Sequence, residues 1–164
     1  MRFSMRFLFF TLMLTVAGDI FASNPTLKKN NKELHCLALN IYFEARGEPT
    51  TGQLAVAMVT MNRVRSKRFP SSICGVVWQK RQFSWTHDGK SDRPRDKKAW
   101  TLAQKVANFV YYKYDTFRTL SNGALDLTKG ALHYYAPKLA DPYWAKSKQV
   151  TRQIGGHLFL AENS

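Results

Sequence analysis

Acidic residues are scarce in this chain: 11 Asp and Glu stand against 25 Lys and Arg, for a formal charge of +14. An acidic partner is therefore expected, be it nucleic acid, an anionic membrane or an anionic wall polymer. Cysteine is nearly absent, with Cys36 and Cys74 alone, and there is no CxxC. His35, His87, His133 and His157 are dispersed, so no spacing suggests a metal, and no cofactor is expected. Gly155-Gly156 lacks the rest of a phosphate-cradling loop, and no GxSxG elbow or RNA-binding aromatic motif occurs. Internal repeats, low-complexity tracts and long linkers are also missing, and 164 residues suit one domain.

The N-terminus has the order of an export signal. Arg2 and Arg6 precede an apolar run from Phe7 to Ala17, which is followed by the small residues Ala22 and Ser23. That run is shorter than the ~20 apolar residues of a membrane span. Residues 1–22 are therefore expected to be a signal peptide cleaved after Ala22, residues 23–31 a flexible lead, and residues 32–164 the folded domain. Removing 1–22 takes Arg2, Arg6 and Asp19 with it and leaves 23 basic against 10 acidic residues, +13. In an exported chain Cys36 and Cys74 form either one disulfide or two buried thiols.

Leu34, Leu37, Ala38, Ile41 and Ala45 recur at helical spacing, and Glu44 falls on the same stripe. Gly47 and Pro49 stop this helix, which places Glu44 near the negative end of its dipole. Burial and the dipole both disfavour the carboxylate, so Glu44 reads either as a general acid or as the buried partner of a cation such as Arg46. Thr50 and Gln53 resemble a capping box for a second helix with Leu54, Ala57, Met61 and Val64 on one face. Arg63, Arg65 and Lys67 then suit its C-terminus, and the clusters 63–68 and 93–98 read as solvated charge.

A short helix is expected over Ile73–Trp78, capped by Ser71 or Ser72. The alternation of Gln82, Ser84 and Thr86 with Phe83 and Trp85 predicts a short strand entering the Asp88-Gly89 turn. Asp96 caps a long helix to about Asp115, with Trp100, Ala103, Ala107, Val110 and Tyr114 as its stripe, and Asn122-Gly123 is a turn. The remainder, rich in aromatics and carrying Gly155-Gly156, reads as short strands. Glu48, Asp88 and Asp141 are candidate second carboxylates. Glu48, beside Pro49, reads alternatively as orienting the second helix.

Residues 41–85, with YFEARGE, GQ..VA....NRV, FP...CGVV.Q and QFS in order, together with GALHYYAP and TRQIGGHLFL, resemble the SleB/CwlJ-type cell-wall hydrolase family, the spore cortex-lytic enzyme catalytic domain. The resemblance covers nearly all of Leu34 to Leu160. It implies an α+β, lysozyme-like (lytic transglycosylase-like) fold, mainly helical with a small antiparallel sheet. It also implies lytic transglycosylation of peptidoglycan glycan strands, with Glu44 as the catalytic acid. Gln82, Ser84, Trp85, Tyr134 and Tyr135 are then expected to line a glycan cleft opposite Glu44, an aromatic stacking on sugar and the polar groups fixing hydroxyls. Ordinary core packing is the alternative for each aromatic. Many members carry cysteines flanking QFS where this chain has Arg81 and His87, which leaves Cys36 and Cys74 as the sole candidate pair. The expected partners are peptidoglycan strands and anionic wall polymers, with no specific nucleic acid, for a monomer in the periplasm or outside the cell. A non-catalytic wall-binding domain and an N-acetylmuramoyl-L-alanine amidase are the competing readings.

Overall fold

The computed structural model describes residues 25–121 and 123–163; the expected signal peptide and Asn122 lie outside them. Four helices come in order: α1 (Pro25–Ala45), α2 (Thr50–Arg65), α3 (Ile73–Val77) and α4 (Lys97–Ser121). Three strands follow: β1 (His133–Tyr135), β2 (Lys148–Ile154) and β3 (His157–Glu162), all antiparallel in the order β1-β3-β2.

Helix α2 is the centre of the molecule. It is buried from Gly52 to Arg63 almost without interruption, so the single apolar face expected for it is too narrow a description. Ala57, Met58 and Met61 face the layer made by α1, α3 and α4. Ala55, Val56 and Val59 face the sheet, against Ala45, Ala131 and Phe159. A helix covered on both sides needs small and apolar residues all round, which GQLAVAMVTM supplies.

Each polar residue that α2 carries inward makes at least one hydrogen bond, although Gln53 Oε1 and Arg63 Nη1 are left without a partner among the described residues. Asn62 donates to Asp126 Oδ2 (2.9 Å), Thr128 Oγ1 (3.2 Å) and the Ala131 carbonyl (3.1 Å), and its own carbonyl accepts from Tyr114 of α4. One amide thereby joins α2, α4 and the loop that leads into β1. The expected capping box is absent: Pro49 is the N-cap, and Gln53 turns back to donate to the Glu48 carbonyl at 3.2 Å.

Helix α1 starts at Pro25, so residues 25–31 form its first turns and not a flexible lead. Proline suits a first helical position, and Asn30 accepts a 3.0 Å bond from Tyr111 of α4 that docks this extension. Further along, Cys36 is bridged to Cys74 with Cα atoms 5.2 Å apart. Glu33 Oε2 accepts from the backbone N–H of Ile73 (2.6 Å) and Cys74 (3.1 Å), and Ser72 accepts from Gly75 at 3.1 Å. The start of α3 is thus capped both by its own serine and by a carboxylate from α1.

Asp96 caps α4 through the Ala99 N–H (3.0 Å), and that helix runs to Ser121, beyond the expected Asp115. Asp115 instead pairs with Arg65 across the α2/α4 seam. The expected strand at QFSW is a 3-10 turn, Ser84–His87. Among the described residues no strand pairs with it to complete a ladder. The Phe83 carbonyl accepts from the Thr86 N–H (3.3 Å) and from Thr86 Oγ1 (2.8 Å), which closes the turn locally. Phe83 and Trp85 still both point inward, so the burial alternates as in a strand although the backbone does not.

The bridge closes a loop with a sequence separation of 38 residues. Replacing both cysteines by alanine should lower stability by about 4 kcal/mol, from the chain-entropy estimate for a loop of that size. Urea denaturation of the two proteins measures it; equal midpoints would show that Glu33 and the core suffice to hold α3.

Candidate active site

The last turns of α1 bring Glu44 to the surface of the core. Leu37, Ile41 and Ala45 are fully buried on its stripe, while Glu44 is half-buried and opens onto a cleft of about 770 Å³. Phe43 and Glu44 form part of one side. Segment 80–87 supplies Lys80, Arg81, Gln82, Phe83, Ser84 and His87, and the end of β1 with the stretch after it supplies Tyr135, Ala136, Leu139 and Ala140. Tyr134 and His157 complete the lining. Glu44 is the only carboxylate among these residues.

Tyr134 is placed by the sheet. It pairs with Phe159 in the β1/β3 ladder, packs edge-on to His157 (5.4 Å between centroids), and donates its hydroxyl to Glu44 Oε2 at 3.2 Å. Burial pushes the Glu44 carboxyl above its usual value, and the Tyr134 hydroxyl and the Arg63 charge offset part of that rise. Burial pushes the Tyr134 phenol well up, so it remains a neutral donor.

Glu44, Gln82, Ser84, Tyr134 and Tyr135 therefore meet around one cleft, and Trp85 does not. Trp85 is 7% exposed, stacked on Phe43 (4.7 Å, 20°) and edge-on to Trp78 (5.4 Å). The 3-10 turn aims it into the core, so its role is to support Phe43 beside Glu44 and not to stack on a ligand.

Glu48 faces away from this lining as well. Its Oε2 accepts the Gly156 N–H at 2.8 Å, and its Oε1 lies 3.7 Å from His157 Nδ1. Burial pushes His157 down, with Glu48 opposing, so the imidazole is neutral near pH 7. Glu48 is the anchor of the β2–β3 hairpin turn. A Cβ on Gly155 would come within 2.0 Å of Glu48 Oε2, and Gly155 has φ +57°, so both space and backbone demand glycine there. Asp88 accepts from its own loop at the Lys90 N–H (2.9 Å), and Asp141 is exposed; neither lines the cleft.

Arg63 is the residue that its sequence position hides. It is 5% exposed, donates through Nε to the Leu132 carbonyl at 2.7 Å, and lies 5.2 and 5.3 Å from the ring centroids of Phe69 and Phe83. It is not a solvated cation at a helix end. The signal was present in the spacing: Arg63 follows Val56 and Val59 by seven and four residues, which puts it on their buried face.

Because the Tyr134 hydroxyl stabilises the Glu44 carboxylate, Tyr134→Phe should raise the Glu44 pKa further while the ring keeps its packing. Carbon-detected NMR titration of the Glu44 carboxyl in both proteins would show the shift. An unchanged or lowered midpoint would mean that the hydroxyl does not control this acid.

Comparison with known proteins agrees with the architecture. The profile of the Cell Wall Hydrolase family matches residues 47–160, which includes segment 80–87, Tyr134 and His157 of the cleft and begins three positions after Glu44. The spore cortex-lytic enzyme of Bacillus subtilis (strain 168) is 31% identical over 141 residues, 86% of this chain and 41% of that protein. The spore cortex-lytic enzyme of Halalkalibacterium halodurans is 30% identical over 138 residues, 84% of this chain and 37% of that protein. This chain thus spans less than half the length of these curated relatives. The crystal structure of the catalytic domain of the Bacillus cereus SleB protein superposes with a TM-score of 0.59 at 30% identity, covering 80% of this chain and 91% of that one. The catalytic domain of the germination-specific lytic transglycosylase SleB from Bacillus anthracis gives 0.59 at 30% identity, covering 79% and 93%. The mostly helical, lysozyme-like α+β fold with its small antiparallel sheet is shared with these domains, and the chain belongs to the cell wall hydrolase family.

Proposed function

We propose that this chain is an exported peptidoglycan-degrading enzyme that cuts the glycan strand between N-acetylmuramic acid and N-acetylglucosamine as a lytic transglycosylase. The observation that carries this reading is the solitary carboxylate: Glu44 is the one acid lining the cleft, and its pKa is raised. Hydrolysis of a glycoside ordinarily takes two carboxylates, one as acid and one to activate water or attack the sugar. Transglycosylation needs one. Glu44 as the acid gives its proton to the glycosidic oxygen as the bond from the muramic C1 breaks. The muramic 6-hydroxyl then closes onto C1, and its proton returns to the Glu44 carboxylate. The products are a free hydroxyl end and a 1,6-anhydro end, with no water consumed. The name of the Bacillus anthracis relative, a lytic transglycosylase, supports the same choice.

The surroundings of Glu44 suit both halves of this cycle. Burial keeps the acid protonated at the start, while the Tyr134 hydroxyl and the nearby Arg63 charge stabilise the carboxylate once the proton has gone. Gln82 and Ser84 offer hydroxyl and amide groups to the sugar, and Tyr135 offers a ring. Lys80, Arg81 and His87 on the cleft suit an anionic polymer.

Glu44→Gln keeps the size of the side chain but cannot donate the proton. Release of anhydro-muropeptides, followed by mass spectrometry, should fall by roughly 10²–10⁴-fold with the fold intact. For the parent, the acid must be protonated, so cleavage should decline as pH rises through the elevated Glu44 pKa. Turnover near the parent rate in Glu44→Gln would remove Glu44 from the chemistry, and products ending in reducing muramic acid would replace transglycosylation by hydrolysis.

Export is the second part of the proposal. N-terminal sequencing of protein recovered outside the cytoplasm should begin near Ser23. An intact Met1 in a membrane fraction would show that the leading run is retained as an anchor.

A further inference from the structure

The cleft does not end at Tyr134. A second basin of about 380 Å³ shares Arg81, Gln82 and Tyr134 with it and continues to Trp144 and Lys148, with Arg63 among its lining residues. A strand lying across Glu44 would run into this basin without leaving the surface.

The basin is positive, and one of its charges is uncompensated. Arg63 is buried, forms no ion pair among the described residues, and leaves Nη1 without a hydrogen-bond partner. A buried charge is poorly screened, so its field extends into the space beside it. Lys148 is held at 13% side-chain exposure by both oxygens of Glu162, at 3.0 and 2.9 Å. His133 also bonds Glu162 (2.9 Å) and is pushed down by burial, so it adds no charge near pH 7.

Arg81 stands where the two spaces meet, and its backbone has φ +66°, a left-handed conformation that a side chain such as arginine seldom adopts. Such strain is kept where the surrounding structure dictates a position, and functional sites are where it concentrates. Trp144, 40% exposed and edge-on to Tyr135 at 5.9 Å, adds an aromatic wall.

We infer that the basin beyond Tyr134, with Arg81 at its mouth and the unpaired Arg63 beneath, is a subsite for a carboxylate borne by the glycan substrate. The inference rests on the peptidoglycan reading and sharpens it: acid-bearing strands are selected over neutral ones. A planar guanidinium is the side chain best matched to a carboxylate, through two parallel N–H···O bonds. On a peptidoglycan strand the carboxylate comes either from the peptide stem or from the lactyl group that remains when the stem is removed.

The test compares cleavage of peptidoglycan strands with cleavage of the same strands after their carboxylates are converted to methylamides. Amidase-stripped strands, free and blocked, are measured in parallel. The parent should cleave free strands roughly tenfold or more better than blocked ones by kcat/KM, the size of a charge-assisted contact. In the exposed-site variant Arg81→Gln this ratio should collapse toward one. The lactyl carboxyl is tied up as an amide while the stem is attached, so a ratio with intact strands assigns the peptide stem, and one that appears only after stripping assigns the lactyl carboxylate. Equal cleavage of free and blocked strands by the parent in both the intact and the stripped pair overturns the subsite but leaves the peptidoglycan reading standing, as does an undiminished ratio in Arg81→Gln. No cleavage of any strand by the parent would defeat both.

Discussion

The buried polar end of α2 is the constraint on which the rest of the structure turns. Asn62 and Arg63 are consecutive, and both are spent on the segment that precedes β1: Asn62 on Asp126, Thr128 and the Ala131 carbonyl, Arg63 on the Leu132 carbonyl. That segment has no helix of its own to fix it. Once these bonds set its height against α2, the Leu132 N–H meets the Leu160 carbonyl at 3.0 Å and β1 enters the sheet in one register. A shift of one residue would turn Tyr134 to the opposite face and put His133 or Tyr135 at Glu44. The geometry of the acid is therefore decided by an amide and a guanidinium before any substrate arrives.

A second constraint acts on α1. Its early turns are tied to α3 by the Cys36–Cys74 bridge and the Glu33 cap, and just past its C-terminus Glu48 is tied to the hairpin turn at Gly156. Glu44 lies between these fixed points. The cleft wall formed by segment 80–87 is held differently, by Phe83 and Trp85 inserted into the core and by a one-turn 3-10 segment.

Helices α3 and α4 were legible because their signals are local: a serine cap, an aspartate cap and a clean stripe. The Glu44 stripe was legible for the same reason. Helix α2 was only partly so, because a helix covered on both sides carries no contrast between faces, and Arg63 near its end resembles an ordinary dipole partner. The QFSW turn misled because inward-pointing residues two apart are shared by a strand and by an extended residue entering a 3-10 turn. Trp85 was consequently assigned to the cleft when its ring belongs to the core. Glu48 was legible only in part: its place beside Pro49 suggests a structural role, but its partner Gly156 lies 108 residues away. The early start of α1 depended likewise on a remote hydroxyl, that of Tyr111.

Those long separations have a consequence for the order in which the site comes into being. Glu44 and Tyr134 are 90 residues apart, and β3, which sets the place of Tyr134, is the last element among the described residues. A ribosome releases the acid well before the strand that positions its donor. Until residues 157–162 have emerged and paired, neither the wall of the cleft nor the hairpin that Glu48 grips can form, and a partial chain carries the glutamate without the enclosure around it.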